Sequence, residues 1–132
     1  MKFLILGANG MAGHMISTYL FEKGHTVTTL TKSPYEVGTN IVLDARDFDT
    51  LKAVIHQEFD VIINAIGVLN HAVDENLSDA ILLNSYLPHF LQEQTRNSKT
   101  KIIHLSTDCV FSGVTGGYTE TSPKDGLSCY LQ

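Results

Sequence analysis

Three glycines at three-residue spacing are the first feature of this chain with a clear chemical consequence. They follow the apolar stretch 2–6 and open a helix-like pattern that runs to about Lys23. Glycine permits a tight turn and lets backbone N–H groups approach a ligand, while a helix N-terminus favours negative charge. This context predicts a diphosphate-binding turn rather than an ordinary glycine-rich connection. The residues expected to contact the diphosphate are Gly7, Asn9, Gly10, Met11 and Gly13.

The end of the second predicted strand bears on which dinucleotide would bind. A site selective for NAD usually carries an acid there for the ribose 2′-hydroxyl. This chain has Thr31, Lys32 and Ser33 instead. A hydroxyl and a cation suit a 2′-phosphate, which a carboxylate would repel, although a lysine that merely points into solvent is the alternative. The sequence therefore favours NADP, with NAD also possible, and Thr31 and Lys32 as contacts.

The third and fourth predicted strands also end in residues suited to a dinucleotide. Asp44 follows the third strand and could accept a hydrogen bond from the adenine amino group, or instead cap the helix that begins near Asp47. Small residues after the fourth strand let the backbone approach a cofactor, while a purely structural amide is the alternative for Asn64. The contacts predicted from these two segments are Asp44, Ala45, Asn64, Ala65, Ile66 and Gly67.

A polar run follows the fifth predicted strand, beginning with Ser106, Thr107 and Asp108. Hydroxyls and a carboxylate that leave a buried strand are suitably placed to polarise a substrate carbonyl or hydroxyl. The alternative is an ordinary turn, which these residue types form readily. We expect Ser106 to contact the cofactor.

Strand and helix patterns alternate along the chain. The predicted strands span 2–6, 26–31, 40–43, 60–64 and 101–105, and the predicted helices span 11–23, 47–57 and 77–96, the last kinked or interrupted at Pro88. Such alternation calls for right-handed βαβ crossovers and an α/β fold with a doubly wound parallel sheet of the Rossmann type. We expect the strand order 3-2-1-4-5, one domain over residues 1–132, and ligands at the carboxyl ends of strands one and four.

The bulk composition limits the class of protein. The chain has 132 residues, 43% of them hydrophobic and 17% charged, and a formal net charge of −5. These values are typical of a globular domain, and the negative charge argues against nonspecific nucleic-acid binding. No apolar run reaches membrane-spanning length, and no signal-peptide pattern precedes the first strand. The expected location is the cytoplasm.

Cysteine and histidine usage does not predict a disulfide framework or a metal site. Cys109 and Cys129 lack ligand spacing and are interpreted as reduced thiols, with Cys109 as a small buried hydrophobe. His104, inside the fifth strand, is expected to be buried and hydrogen-bonded. No paired-ligand pattern links the histidines, so no metal is predicted. The six are His14, His25, His56, His71, His89 and His104.

Three motifs together resemble the dTDP-4-dehydrorhamnose reductase family of extended short-chain dehydrogenases. They are Gly7-Ala-Asn-Gly-Met-Ala-Gly13, Asn64-Ala-Ile-Gly67 and Leu105-Ser-Thr-Asp-Cys-Val-Phe-Ser-Gly113. The last is the most specific, and Tyr118-Thr-Glu120 with Pro123 resembles the loop that follows it in the family. The resemblance spans the whole chain but only the front portion of the family's fold. It implies an NAD(P)-dependent reductase of nucleotide-activated sugars, the dTDP-rhamnose pathway among them.

The resemblance also implies roles for particular residues. Thr107 matches the family's catalytic hydroxyl and Tyr130 its catalytic tyrosine, while Thr107 and Asp108 match substrate-holding positions. Asn84 matches a position that often organises the site. The family's lysine, four positions after the tyrosine, would fall beyond Gln132. We therefore expect a truncated form that lacks the substrate-binding part and binds dinucleotide better than it turns over sugar.

Three functions remain open from the sequence. The leading one is an NADP(H)-preferring reductase of a 4-keto-6-deoxy sugar nucleotide, or the cofactor-binding portion of one. The others are a noncatalytic dinucleotide-binding module that regulates a partner, and a sugar-nucleotide epimerase or dehydratase. Because the fifth strand would leave an uncovered sheet edge, a homodimer is a further hypothesis.

Overall fold

A computed structural model describes residues 1–68 and 75–126, and it contains the predicted parallel sheet. Its strand order is β3-β2-β1-β4-β5, which confirms the doubly wound α/β class and the order expected from the sequence. All four strand pairings are parallel. The strands are β1 (Lys2–Leu6), β2 (Thr26–Thr31), β3 (Thr39–Val42), β4 (Val61–Asn64) and β5 (Lys101–His104).

The helices lie close to their predicted positions, with one internal difference. The stretch predicted as a single helix over 77–96 has a π-helical middle, the segment Ile81–Tyr86, between two α-helical parts. Leu87 donates its backbone N–H to Leu82 at i−5, and Pro88, which has no N–H, lies in the first turn that follows. The helices are α1 (Met11–Glu22), α2 (Phe48–Ile55), α3 (Leu77–Ala80) and α4 (Leu87–Thr95), with a 3-10 turn at Asp108–Val110.

Alternate residues of β1 enter two separate apolar clusters, one on each face of the sheet. Leu4 and Leu6 pack in the cluster that includes Leu51 of α2 and Leu87 of α4. Phe3 and Ile5 pack in the opposite cluster, against which Ile16 and Leu20 of α1 are partly buried. Because both faces are covered, β1 and β4 are mainly apolar, while β2 buries several threonines between its apolar residues.

Two burial predictions at the β5 side of the sheet are wrong. His104 and Cys109 are both exposed, although His104 does form the expected hydrogen bond. The reason is that β5 pairs with β4 alone within the described residues, so its burial pattern is mostly exposed. Cys129 and His71 lie outside the described residues.

The described parts of the chain, 1–68 and 75–126, contain no helix that is both long and apolar enough to cross a membrane. In the same residues, no three His, Cys, Asp or Glu side chains are grouped as the ligands of a metal ion would be.

Candidate functional site

The turn between β1 and α1 depends on the backbone freedom of Gly7. Gly7 has φ +81°, and its N–H donates to the Leu30 carbonyl oxygen of β2 at 2.9 Å. A Cβ on Gly7 would lie 2.9 Å from the Ile66 side chain and 3.2 Å from the Ala65 backbone. An L-residue is therefore disfavoured here both by conformation and by the close passage of the segment after β4.

Helix α1 begins directly after this turn, with its first amides uncapped by a side chain. Gly10 is the N-cap, no side chain accepts a hydrogen bond there, and the first turn contains no acidic residue. A Cβ on buried Gly13 would collide with the Gly7 carbonyl oxygen, so glycine is what allows α1 to approach the turn so closely. The open N–H groups and the helix dipole together suit an anion.

A cleft of about 320 Å³ lies at the carboxyl ends of the central strands. It includes ten of the fourteen residues that the sequence predicted for a cofactor: Gly7, Asn9, Gly10, Thr31, Lys32, Asp44, Ala45, Ala65, Ile66 and Gly67. The sequence analysis missed four apolar wall residues, Leu30, Leu43, Val68 and Leu83. Leu30 and Leu43 could have been found as the apolar neighbours of the predicted strand ends.

The other four predicted cofactor residues do not line this cleft. Met11 is highly exposed at the start of α1, and Gly13 is buried beneath the turn. Asn64 is fully buried, and Ser106 is exposed after β5. These positions were chosen by their place in the sequence, and the structure separates them by burial and by distance from the cleft.

At the end of β2, an internal hydrogen-bond network holds the loop that carries Lys32. The Thr31 hydroxyl donates to the Ser33 carbonyl at 2.7 Å and accepts from Asn40 at 2.8 Å, so it is already engaged within the protein. The Asn9 amide donates to the Ser33 hydroxyl at 2.8 Å, which joins the glycine turn to this loop. Lys32 lines this end of the cleft with its side chain 63% exposed, and its ammonium group lies 3.6 Å from the Asp44 carboxylate.

Asp44 does not cap α2, because Asp47 does so. Asp47 accepts hydrogen bonds from the Thr50 N–H at 3.1 Å and the Thr50 hydroxyl at 2.7 Å. The Asp44 carboxylate instead meets Arg46, whose Nε lies 3.0 and 3.1 Å from the two carboxylate oxygens. These hydrogen bonds, with the charge of Lys32 at 3.6 Å, hold the pKa of Asp44 far below its usual range.

The buried Asn64 side chain connects β4 to β5. Its Oδ1 accepts the Ile66 N–H at 3.1 Å, and its Nδ2 lies 3.1 Å from Nδ1 of His104. Since Oδ1 faces an N–H, Nδ2 is the donor to His104, whose Nδ1 must be unprotonated. The protein covers part of the otherwise exposed His104 ring, and this desolvation lowers the pKa of His104, in agreement with the neutral state. These contacts favour the structural interpretation of Asn64.

Asn84 holds the segment after β4 against the cleft. Its Oδ1 accepts the Val68 N–H at 2.8 Å, and its Nδ2 donates to the Val68 carbonyl at 2.9 Å. This pair satisfies both backbone groups of a residue that has no strand partner. Asn84 lies in the π-helical segment, beside Leu83 of the cleft wall. The structure thus gives Asn84 a defined positioning contact.

The structure describes only some of the residues after β5 for which the sequence predicts a chemical role. The Thr107 hydroxyl accepts the Cys109 N–H at 3.2 Å, as an ordinary hydroxyl turn does. Asp108 begins the 3-10 turn, and Tyr130 lies outside the described residues. All strands are parallel, so Thr107 leaves the sheet at the same edge as the glycine turn. The catalytic and substrate roles stay predictions.

A hydrogen-bonded cluster further along this loop was not predicted from the sequence. Ser112 donates its N–H to one Asp125 oxygen and its hydroxyl to the other, both at 2.8 Å, and it lies 3.1 Å from the Tyr118 hydroxyl. Phe111 stacks on Tyr118 with ring centroids 4.5 Å apart. The cluster closes the loop on itself on the surface of the protein.

The comparisons with known proteins agree with this geometry. A sequence family described as the RmlD substrate binding domain matches residues 1–132, which is the whole chain. The chain belongs to this family. The resemblance read from the three sequence motifs is therefore confirmed.

Individual relatives are similar over the same region. A dTDP-4-dehydrorhamnose reductase of Mycolicibacterium smegmatis is 32% identical over 115 residues, which are 86% of this chain and 32% of that protein. The structure of a hypothetical dTDP-4-dehydrorhamnose reductase of Sulfolobus tokodaii matches at 29% identity with a TM-score of 0.87, over 99% of this chain and 48% of that one. The chain thus spans under half the length of either relative.

A third similarity concerns the fold alone. A short-chain dehydrogenase/reductase superfamily protein of Agrobacterium tumefaciens, solved with bound NAD, is 18% identical with a TM-score of 0.85. The match covers 99% of this chain and 41% of that one. The sheet and helices described here accordingly have the same fold as the corresponding part of that protein.

Proposed function

We propose that this chain is the dinucleotide-binding part of an NADP(H)-preferring reductase that acts on a nucleotide-activated 4-keto-6-deoxy sugar. The observation that carries the proposal is the cleft over the glycine turn, bounded by the ends of β1, β2, β3 and β4. The named activity of the Mycolicibacterium relative supplies the substrate class. The cofactor-binding domain is proposed to extend over residues 1–132.

The residues of the turn fit a dinucleotide diphosphate. Side chains are excluded at Gly7 and Gly13, and the first amides of α1 have no side-chain cap. Ala65 and Gly67 keep the opposite wall small, while Leu30 and Leu43 provide apolar surface for an adenine ring. The group bound there supplies the hydride for carbonyl reduction.

The residues of this chain contribute the other parts of the proposed chemistry. In that reaction Thr107 donates a hydrogen bond to the sugar C4 oxygen, and Tyr130 delivers the proton to it. Asp108 holds the sugar nucleotide. An unperturbed phenol titrates near pH ~10, so Tyr130 needs a nearby positive charge to exchange its proton near neutrality. In the family a lysine provides that charge.

Lys32 is the proposed source of NADP preference. It lines the cleft at the end of β2, and no carboxylate follows it in that loop before Glu36. The nearest acidic group described, Asp44, is already hydrogen-bonded to Arg46. An ammonium group with this much freedom can meet a 2′-phosphate, whereas a 2′-hydroxyl gains little from it.

Titration of the chain with NADPH and NADH, followed by cofactor fluorescence or calorimetry, tests the binding part of the proposal. We expect NADPH to bind more tightly, and Lys32→Gln to weaken NADPH about tenfold, which is roughly 1.4 kcal/mol, with NADH nearly unchanged. Lys23→Gln, at the far end of α1, is the matched control. Absence of binding by either dinucleotide would contradict the proposal.

Turnover separates the enzyme from a regulatory module. The test uses a protein as long as the relatives, mixed with NADPH and a dTDP-linked 4-keto sugar. Steady loss of NADPH absorbance supports the reductase. Binding without turnover supports the noncatalytic module, and conversion of the sugar without net NADPH loss supports an epimerase or dehydratase. We also propose a cytoplasmic location, and a homodimer across the β5 edge that no other strand of residues 1–68 and 75–126 covers, which sedimentation over a range of concentrations tests.

A further inference from the structure

A row of alternating charges begins at the end of the cleft where β2 and β3 finish, and it joins three separate parts of the sequence. Lys32 comes from the end of β2, Asp44 and Arg46 follow β3, and Asp79 lies in α3. Arg46 is the centre of this row, since it contacts the carboxylates of both Asp44 and Asp79. Its Nη1 donates to Asp79 at 2.7 Å, while Nε and Nη2 face Asp44.

The two cations do not hold Asp44 equally. Arg46 makes side-chain hydrogen bonds to both carboxylate oxygens and adds its own backbone N–H at 3.0 Å to Oδ1. The Lys32 ammonium stays 3.6 Å away, beyond hydrogen-bond distance. Arg46 therefore supplies the hydrogen bonds to Asp44, while Lys32 contributes only its charge and can donate its own hydrogen bonds to another anion.

We infer that Arg46 sets the preference between NADPH and NADH by neutralising Asp44 and so leaving Lys32 available for the cofactor's 2′-phosphate. Without the guanidinium group, the Asp44 carboxylate would turn to Lys32 and would also repel the phosphate. Arg46 is a positioning residue in this scheme, because it acts on the cofactor through Asp44 and Lys32. This role depends on the proposed dinucleotide function.

Asp79 allows a test of the direction in which the NADPH-to-NADH affinity ratio changes. Replacing Arg46 removes a positive charge, whereas replacing Asp79 removes a negative one from the same bridge. If the bridge only holds the loops in place, both changes should affect the two cofactors alike. If neutralisation of the Asp44 charge determines the cofactor preference, the two changes should shift the NADPH-to-NADH affinity ratio in opposite directions.

The experiment measures dissociation constants of NADPH and NADH for the full chain at low salt, with the ratio as the readout. We expect Arg46→Gln to lower the preference for NADPH roughly fivefold, and Asp79→Asn to raise it slightly. Arg96→Gln, which removes the same side chain from an exposed pair with Glu93, is the matched control and should leave the ratio unaltered.

A double substitution completes the test. In Asp44→Asn with Arg46→Gln, the carboxylate that Arg46 neutralises is gone, so the preference should return toward the wild-type ratio. Any effect of Asp44 on adenine cancels in that ratio, because both cofactors contain the same adenine. An unchanged ratio in Arg46→Gln, or no recovery in the double variant, overturns the role of Arg46. Failure of the wild-type chain to bind either dinucleotide instead refutes the proposed function and, with it, this role.

Discussion

Gly13 offers a direct test of how closely α1 approaches the glycine turn. In Gly13→Ala, the new Cβ would collide with the Gly7 carbonyl oxygen and would lie 2.8 Å from the Gly7 carbonyl carbon and 2.9 Å from Ala8 Cα. All three are backbone atoms, so no side chain can rotate away to relieve the contact. The helix itself must move outward, away from the turn.

The expected magnitude is the difference between two opposing effects. Alanine inside a helix is about 0.5–1 kcal/mol more favourable than glycine. Overpacking at a rigid site costs about 1–3 kcal/mol, and a collision with backbone belongs at the upper end. The free energy of unfolding should therefore fall by about 2 kcal/mol. For a chain of this size the thermal midpoint should drop by roughly 6–10 °C.

Thermal and denaturant unfolding, followed by circular dichroism, measure this change. Gly10→Ala is the matched control, because Gly10 has φ −76° and its Cβ would lie 3.3 Å from the same carbonyl oxygen. That variant places a less favourable residue at the N-cap and makes a tight contact without a collision, so its free energy of unfolding should fall by only about 1 kcal/mol. A Gly13→Ala protein as stable as the wild type, or more stable as helix propensity alone demands, would refute the close approach of α1 to the turn.

Three further outcomes follow from the other contacts. Asp47→Ala should lower the thermal midpoint by a few degrees, because α2 loses its N-terminal cap. Asn84→Ala should lower the free energy of unfolding by about 2 kcal/mol and weaken dinucleotide binding, because both Val68 backbone groups lose their partners. Stability should rise with pH through the range just below 6.5, because the pKa of His104 is lowered by folding and the unfolded chain binds more protons there.

Each of these outcomes has a control and a contradicting result. Asp49→Ala removes a carboxylate from the same helix turn and should cost less stability than Asp47→Ala; an equal cost would argue against the cap. Asn97→Ala, on an exposed loop, should leave dinucleotide affinity unchanged, and an Asn84→Ala chain with wild-type affinity would contradict the positioning contact. His104→Gln should flatten the dependence of stability on pH, and the control His56→Gln should retain it. A dependence that persists in His104→Gln would show that another group is responsible.

The pattern of the sheet could be read from the sequence because its signals are local. An apolar run covered on both faces, as in β1 and β4, and a glycine turn before a helix each lie within a few consecutive residues. Their alternation with helices restricts the topology to a few forms. The same signals located most of the cleft, because residues that follow parallel strands emerge at one edge of the sheet.

Other features depend on which distant residues meet. From the sequence, Asp44 can be interpreted as a cap or as a ligand, until the Arg46 guanidinium group is seen to bind both Asp44 and Asp79, the latter 33 positions further along the chain. The burial of His104 was misjudged because a strand's residues do not state whether it lies at the centre or the edge of its sheet. The π-helical turn and the clasp of Val68 by Asn84 likewise arise from the fit of a helix against a loop sixteen residues away.

The sequence by itself thus determined the strands and the turn, because periodicity and glycine spacing act through the backbone over short range. The family followed from the resemblance of three motifs. The tertiary structure decided which polar side chains are already engaged inside the protein and which face the cleft. The physical reason is that a hydrogen bond or ion pair depends on distance and direction in space, and side chains of the same type next to one another in the chain can point to opposite faces.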